Sequence, residues 1–431
     1  MQILLPSILP RAEYSIRLVV EQLLGIEIEF IYDVRHISSQ CLVYGGKPIP
    51  NIPYLSAHPL ITEDFIREIQ PDVSNWNGIP CFFPSSEDSI IPFDIFSASF
   101  WLVSRYEEYL SFESDIFGRF PAKESHAYKH NYLQKPVVNI WAKMMGLRLL
   151  ELFPGINMRK LSFRFIPTVD IDSLYLYAHK GILRNIGGLF RDILQGNKKL
   201  VKTRISIVLK GKPDPWNCLH AIESMHKEME IKFFFLLAKY AKYDKASGIN
   251  TAGFRNEISR FLTSYNVGIH PGMAGHNNTN LWDEEFNRYS KLVQNKPDIS
   301  RQHFLKVLFP DTYQYLIKKG VIHDYSLAYP ECLGFRAGIA SQFPFFNLRL
   351  NRAEALTLWP VAIMDVTLKD YLNYNTEEAF EALLKIYREV QHVQGVLISL
   401  WHNESLSGYG AWDGWNTVYS KFIEQIKADA N

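Results

Sequence analysis

Apolar and polar positions along the chain change period several times, and each change predicts an element. Ile3 to Leu5 reads as a short strand, Glu13 to Leu24 repeats at helical spacing up to Gly25, and Ile26 to Tyr32 reads as a second strand. A proline-rich, polar stretch follows through Pro92. The run Phe100-Trp101-Leu102-Val103-Ser104-Arg105-Tyr106-Glu107-Glu108-Tyr109 then predicts a buried helix ending in charges, with Gly118-Arg119-Phe120 soon after. Charges at the end of so apolar a helix predict a network that fixes the domain, with a ligand site as the alternative. Phe153-Pro154-Gly155 predicts a linker, separating a smaller α/β unit, residues 1–155, from residues 156–431.

The second half alternates regularly. Phe165 to Val169 is an apolar strand running into Asp170 and Asp172. Asp214-Pro215 predicts a helix start with the helix carried to Met229, and Ile231 to Leu237 a buried strand. Phe254, Ile258, Phe261, Leu262 and Tyr265 share a helix face before the strand Val267 to His270. Asp311 to Lys319 predicts a helix, Val321 to Ser326 a strand, Thr376 the cap of a helix stopped by Gly395, and Val396 to His402 a final strand. Repeated strand–helix units imply a parallel sheet, open or closed as a barrel.

Composition narrows the class. The 431 residues are 47% apolar and 21% charged, ordinary for a globular protein, and a net charge of +1 gives no global pull toward nucleic acid. Cys41, Cys81, Cys218 and Cys332 are far apart and form no CxxC pair, which predicts reduced thiols in a cytoplasmic setting. Arg11 and Glu13 come too early for a signal-peptide core, and no apolar run approaches the roughly 20 residues of a membrane span. One segment departs from the average: 180–212 holds nine Lys or Arg against the single acid Asp192, with Leu189, Phe190, Ile193 and Leu194 at helical spacing. A solvated loop insertion is the plain reading; contact with a membrane surface or an anionic glycan is the other.

Asp170 and Asp172 lie two residues apart, so on a strand they share a face. Two crowded carboxylates repel unless a cation lies between them or one keeps its proton, which points to a metal ligand beside a general base. His270, Asp324 and His402 also fall at or near the ends of predicted strands, the edge where parallel α/β folds build their sites.

The order Thr168-Val169-Asp170-Ile171-Asp172, Gly268-Ile269-His270-Pro271, Arg301-Gln302-His303-Phe304-Leu305 and Leu400-Trp401-His402-Asn403 resembles the polysaccharide deacetylases of carbohydrate esterase family 4. More closely it resembles a variant group with an N-terminal extension, to which Ser104–Tyr109 and Gly118-Arg119-Phe120 look similar. Asp324-Tyr325-Ser326 and Gly334-Phe335-Arg336-Ala337-Gly338 look like that group's later motifs. The resemblance, over about 160–410, implies a distorted (β/α) barrel of the NodB-like type preceded by a smaller α/β domain. It also implies metal-assisted removal of acetyl groups from N-acetylated sugars in glycan assembly. Carried over by position, Asp170 is the base, Arg301 orients it and His402 protonates the leaving amine. Asp172 and His270 bind the divalent metal, with zinc expected, and Asp324, Arg336 and Trp401 are the candidates for substrate contact.

Two departures stand out. Ile171 separates aspartates that are adjacent in the family, and Ala274 occupies the position of its second histidine ligand. His276, in a polar turn, is the first candidate replacement, and His303, expected to share a strand face with Arg301, is the alternative. The competing functions are a metal-free relative that binds glycan without hydrolysing it, and another amide or ester hydrolase on the same barrel.

Overall fold

The apolar, β-branched run before Asp172 forms an interior strand of a nine-stranded sheet, paired on both sides. The architecture comes from a computed structural model that describes residues 1–246, 249–262 and 264–430, with Ala430 described by its backbone alone. In the first 155 residues, β1 (Gln2–Leu4), β2 (Glu29–Ile31), β3 (Cys41–Tyr44) and β4 (Tyr54–Leu55) form a parallel sheet in the order β2-β1-β3-β4. Around it lie α1 (Pro10–Ile16), the ribbon β5 (Ser74–Trp76) and β6 (Ile79–Cys81), α2 (Ile95–Val103), α3 (His126–Lys129) and α4 (Val137–Leu152). Asp94 caps α2 by accepting from Phe96 N and Ser97 N, and every side chain of that helix is buried.

The second half runs β7 (Arg164–Ile171), α5 (Ile182–Leu194), α6 (Lys198–Lys210), α7 (Leu219–Met225), β8 (Lys232–Leu236), α8 (Ala252–Leu262), β9 (Val267–His270) and α9 (Thr279–Val293). It continues with β10 (Ile299–Ser300), α10 (Asp311–Lys318), β11 (His323–Asp324), β12 (Phe343–Asn347), β13 (Arg352–Leu358) and β14 (Ile363–Met364). The last elements are α11 (Thr376–His392), β15 (Val396–His402), α12 (Asn403–Leu406) and α13 (Trp415–Ala430). The sheet order is β12-β13-β11-β10-β9-β8-β7-β15-β14, parallel throughout except for the β12–β13 pair. No ladder joins β12 to β14 among the described residues. The flanks are instead linked by the short run Trp359–Ala362: Trp359 N donates to Asp324 O in β11, and Ala362 N to Ile398 O in β15. Since a residue spans at most about 3.6 Å, so short a link obliges the sheet to curl. The architecture is mixed α/β around a mostly parallel, curled sheet.

One apolar core runs from Ile3 through α2 and α4 to Phe422, so the two halves pack on each other. Where Arg105, Glu107 and Glu108 follow α2, the charges turn inward. Arg105 Nε donates to Glu108 Oε1 at 2.8 Å and Arg336 Nη2 to Glu108 Oε2 at 2.5 Å, all three wholly buried.

Several local expectations shift. Asp214 does not start a helix: its carboxylate accepts the amides of Leu176, Tyr177 and Ala178 and pins the loop after β7, while α7 begins at Leu219. Asn375, one residue before Thr376, caps α11 in a capping box with Glu378. Segment 180–212 is no loop; it forms the helical pair α5–α6. Among the described residues no helix is long and apolar enough to cross a membrane.

Candidate active site

Parallel pairing aligns the C-terminal ends of β7, β8, β9, β10 and β15: Asp170 pairs with His402 and with Phe234, and Leu236 with His270. That edge gathers Asp170, Asp172, His270, Arg301, His303 and His402. Asp170 is buried between two partners, with Arg301 Nη1 donating to its Oδ1 at 2.7 Å and His270 Nε2 lying 3.6 Å from its Oδ2. Arg301 is itself immobilised: Nε donates to Tyr325 O at 3.0 Å, and the guanidinium lies 4.4 Å from the centre of the Phe234 ring.

Asp172 stands just past the end of β7, with about a third (34%) of its side chain exposed. Its Oδ1 is 3.3 Å from His270 Nε2, and its Oδ2 is 3.3 Å from His303 Nε2 and 4.0 Å from His402 Nε2. Burial raises its pKa, but the charge of His303, hydrogen bonds from His270 and His303, and the charge of His402 prevail and hold it well below the usual carboxylate value.

The imidazoles are oriented from behind. His270 Nδ1 donates to Arg301 O at 2.6 Å; a carbonyl only accepts, so Nε2 faces the cleft with its lone pair when the ring is neutral. His303 Nδ1 contacts Asp244 Oδ1 at 2.8 Å, and the Asp244 carboxylate also accepts Met273 N and Ala274 N. Burial lowers the pKa of His303, yet Asp172 and Asp244 together lift it to about 9. His402 Nδ1 meets Asp365 Oδ1 at 2.8 Å, while Asp365 Oδ2 accepts His402 N at 2.8 Å and the Ser405 hydroxyl. Burial again opposes the charge, and Asp365 first, then Asp172 and Asp170, keep the pKa of His402 well above its ordinary value.

Asp172, His270 and His303 each offer one ligand atom, all within 4.8 Å of one another. Asp172 Oδ1 is buried, with His270 Nε2 3.3 Å away, and the carboxylate faces imidazole nitrogens whose other ends are engaged. One carboxylate oxygen and two imidazole nitrogens are the donor set of a catalytic zinc-type site with an open position.

His303 reaches this group from a turn, not from a strand face: β10 ends at Ser300, and Phe304 and Leu305 have φ of +61° and +53°. His276 is directed elsewhere. Its ring lies 4.7 Å from that of Trp282, whose Nε1 donates to Gly272 O and holds the turn against α9. A Cβ at Gly275 would meet Trp282 at 1.9 Å, so this turn sits flush on the indole. Burial and the charge of Lys306 push His276 down to about 3.

The three substrate-contact expectations are not met at the cleft. Asp324 is fully buried, accepting the hydroxyls of Ser300 and Ser326 and the amide of Ser326. Arg336 is committed to Glu108 and Ala328 O. Trp401 is sealed in the core 4.6 Å from Tyr419. Asp324 and Trp401 lie on strands, where neighbours alternate faces, and occupy the packed face; Arg336 lies outside any strand and is drawn into the domain seam by Glu108.

Sequence reasoning missed Asp244, Asp365 and Glu404. Asp365 carried a signal, since it ends the apolar run Val361-Ala362-Ile363-Met364. Asp244 lies in a polar loop and carried none. Glu404, raised to about 7 by burial and by the charges of Asp172 and Asp365, borders the cleft beside His402.

A model of a family of unknown function (DUF7033) matches residues 1–154. No curated protein matches the chain. Among solved structures, a protein of Mycobacterium smegmatis described as a polysaccharide deacetylase aligns with a TM-score of 0.40 at 12% identity, over 63% of this chain and 86% of that one. Puue allantoinase aligns at 0.39 and 11%, over 64% and 86%. A polysaccharide deacetylase of Bacillus cereus aligns at 0.29 and 12%, over 62% and 89%. None of these likenesses assigns a role to a residue.

Proposed function

We propose that the chain is a divalent-metal hydrolase that removes acetyl groups from N-acetylated sugars of a polysaccharide or glycan precursor. The observation that carries the reading is the triplet of Asp172, His270 and His303, flanked by a carboxylate fixed by arginine on one side and an imidazole fixed by aspartate on the other. In this reading residues 156–431 form the barrel-like catalytic part. Residues 1–155 brace it through the Arg105–Glu108–Arg336 cluster.

Amide hydrolysis needs a proton taken from water and a proton given to the departing nitrogen. Asp170, oriented by Arg301, takes the first, and a positioned base of this kind is worth roughly 10²–10⁴-fold. His402 holds the second at Nε2, because Asp365 on Nδ1 stabilises the imidazolium. The sum is balanced: water and the N-acetyl group give acetate and the free amine, the proton taken up by Asp170 leaves it for solvent, and His402 recovers one from solvent to replace the proton it gave. Asp172, His270 Nε2 and His303 Nε2 would hold a metal of the zinc class, which would supply Lewis acidity and lower the pKa of water from about 15.7 toward about 7.

The test is acetate release from N-acetylglucosamine oligomers by the full chain, loaded in turn with zinc, cobalt, nickel and manganese. Release with at least one metal that is lost on chelation and restored on reloading supports the reading. Metal binding with no acetate released from any N-acetylated sugar would move the assignment to another amide or ester; absence of metal binding would move it to glycan binding.

A further inference from the structure

The pair α5–α6, inserted between β7 and β8, is built inside out. Ile182, Leu183, Ile186, Phe190, Ile193 and Leu194 fall within an arc of about 120° on α5 at 100° per residue. All six are exposed, Leu183 by 86% and Phe190 by 67%. The side of α5 that packs is polar. Asp192 accepts Arg204 Nε at 2.9 Å and Nη2 at 2.8 Å, and Asn185 Oδ1 accepts Arg204 Nη1 at 3.2 Å. Gly188 admits the guanidinium, since a Cβ there would stand 2.6 Å from Nη1. A helix on a globular core turns its apolar stripe inward; this one holds itself down by a buried ion pair and turns the stripe out.

Charge decides what covers the stripe. The segment's only acid, Asp192, is engaged by Arg204, so the other eight of its nine Lys and Arg residues have no acid of the segment to neutralise them. Arg191, Lys198, Lys199, Lys202 and Lys210 are exposed around the pair. A second copy docking on this face would bring two such sets of cations together, whereas an anionic surface would neutralise them. Apolar chains on one arc with basic chains beside them are what an interfacial helix needs to sit at the boundary between headgroups and acyl chains.

We infer that α5–α6 docks the protein on an anionic phospholipid bilayer, with the Leu183–Phe190–Leu194 stripe among the acyl chains and the lysines against lipid phosphates. The docking also places the cleft close to the bilayer. The loop pinned by Asp214 joins Asp172 directly to the pair, and a cavity of about 550 Å³ lined by Lys180, Arg184, Trp216, Tyr240 and Trp412 lies at the pair's root.

The test is co-sedimentation of the full chain with phosphatidylcholine vesicles prepared with and without phosphatidylglycerol, at low and high salt. Binding is expected to require phosphatidylglycerol, with affinity about tenfold or more higher than for phosphatidylcholine alone, and to fall with salt. Phe190→Glu with Ile193→Glu should abolish it at an unchanged circular-dichroism melt, because both side chains are exposed. Lys198→Glu with Lys199→Glu should weaken it while leaving the stripe intact. The inference is overturned if the chain ignores both vesicles, binds both equally, or keeps its binding after Phe190→Glu with Ile193→Glu. It is equally overturned if sedimentation velocity shows a dimer that those substitutions convert to monomer.

Discussion

His303 Nδ1 and Asp244 Oδ1 are 2.8 Å apart, and this contact sets which ring nitrogen faces Asp172. Asp244 is itself held by the amides of Met273 and Ala274, so the loop that follows β9 positions a ligand candidate from the loop that follows β10.

Removing the orienting carboxylate should therefore weaken metal binding without touching a ligand atom. Asp244→Ala is expected to cost roughly 10–100-fold in affinity, measured by calorimetric titration of the metal-free chain. His303→Ala should cost more, and His276→Ala should leave affinity unchanged, its ring being committed to Trp282. Equal losses for His276→Ala and His303→Ala would reverse the ligand assignment.

The two aspartates should separate by function. Asp172→Ala is expected to lose metal and acetate release together. Asp170→Asn should retain the metal and lose turnover by about 10²-fold or more, with KM little changed. Metal content by elemental analysis alongside kcat distinguishes the two roles, and equal metal loss in both variants would exchange or merge them.

The pH dependence follows from His303 and Asp172. In the metal-free fold His303 is raised from 6.5 to about 9, so its protonated form stabilises the fold fully below pH 6.5, and that contribution disappears as pH rises through about 9. Asp172, held well below its ordinary value, contributes above the usual carboxylate range and loses its contribution only as pH falls through its lowered pKa. The melting temperature of the metal-free chain should accordingly decline between about pH 6.5 and 9. Metal affinity should rise over the same window, with a proton released per ion bound. A flat melting profile in EDTA would remove the basis for this coupling.

Glu108 tests the domain seam. It sits between two buried guanidiniums, and Glu108→Ala leaves both without their carboxylate, so a loss of about 3–5 kcal/mol is expected in denaturant unfolding. Arg336→Lys should reduce stability in the same assay without a selective rise in KM, because the side chain has no access to the cleft. A KM effect at full stability would return Arg336 to the substrate.

What the sequence alone determined was local. A short apolar run ending in an acid or histidine shows a buried parallel strand and its exit, which is why the ends of β7, β9 and β15 are legible at Asp170, His270 and His402. Tertiary structure alone decided which of those exits meet and what holds them. Arg301 reaches Asp170 across 131 positions and His303 reaches Asp244 across 59, distances at which no periodicity survives. The backbone of Phe304 and Leu305 turns left-handed without a glycine to announce it, delivering His303 to Asp172, while the fit of Gly275 against Trp282 draws His276 aside. Hydrophobic patterning reports whether a side chain faces a core, which is a property of its own element. Metal-ligand geometry and the burial of Asp324, Arg336 and Trp401 depend on how separate elements pack, and that is settled only when the sheet curls and the N-terminal part closes on it.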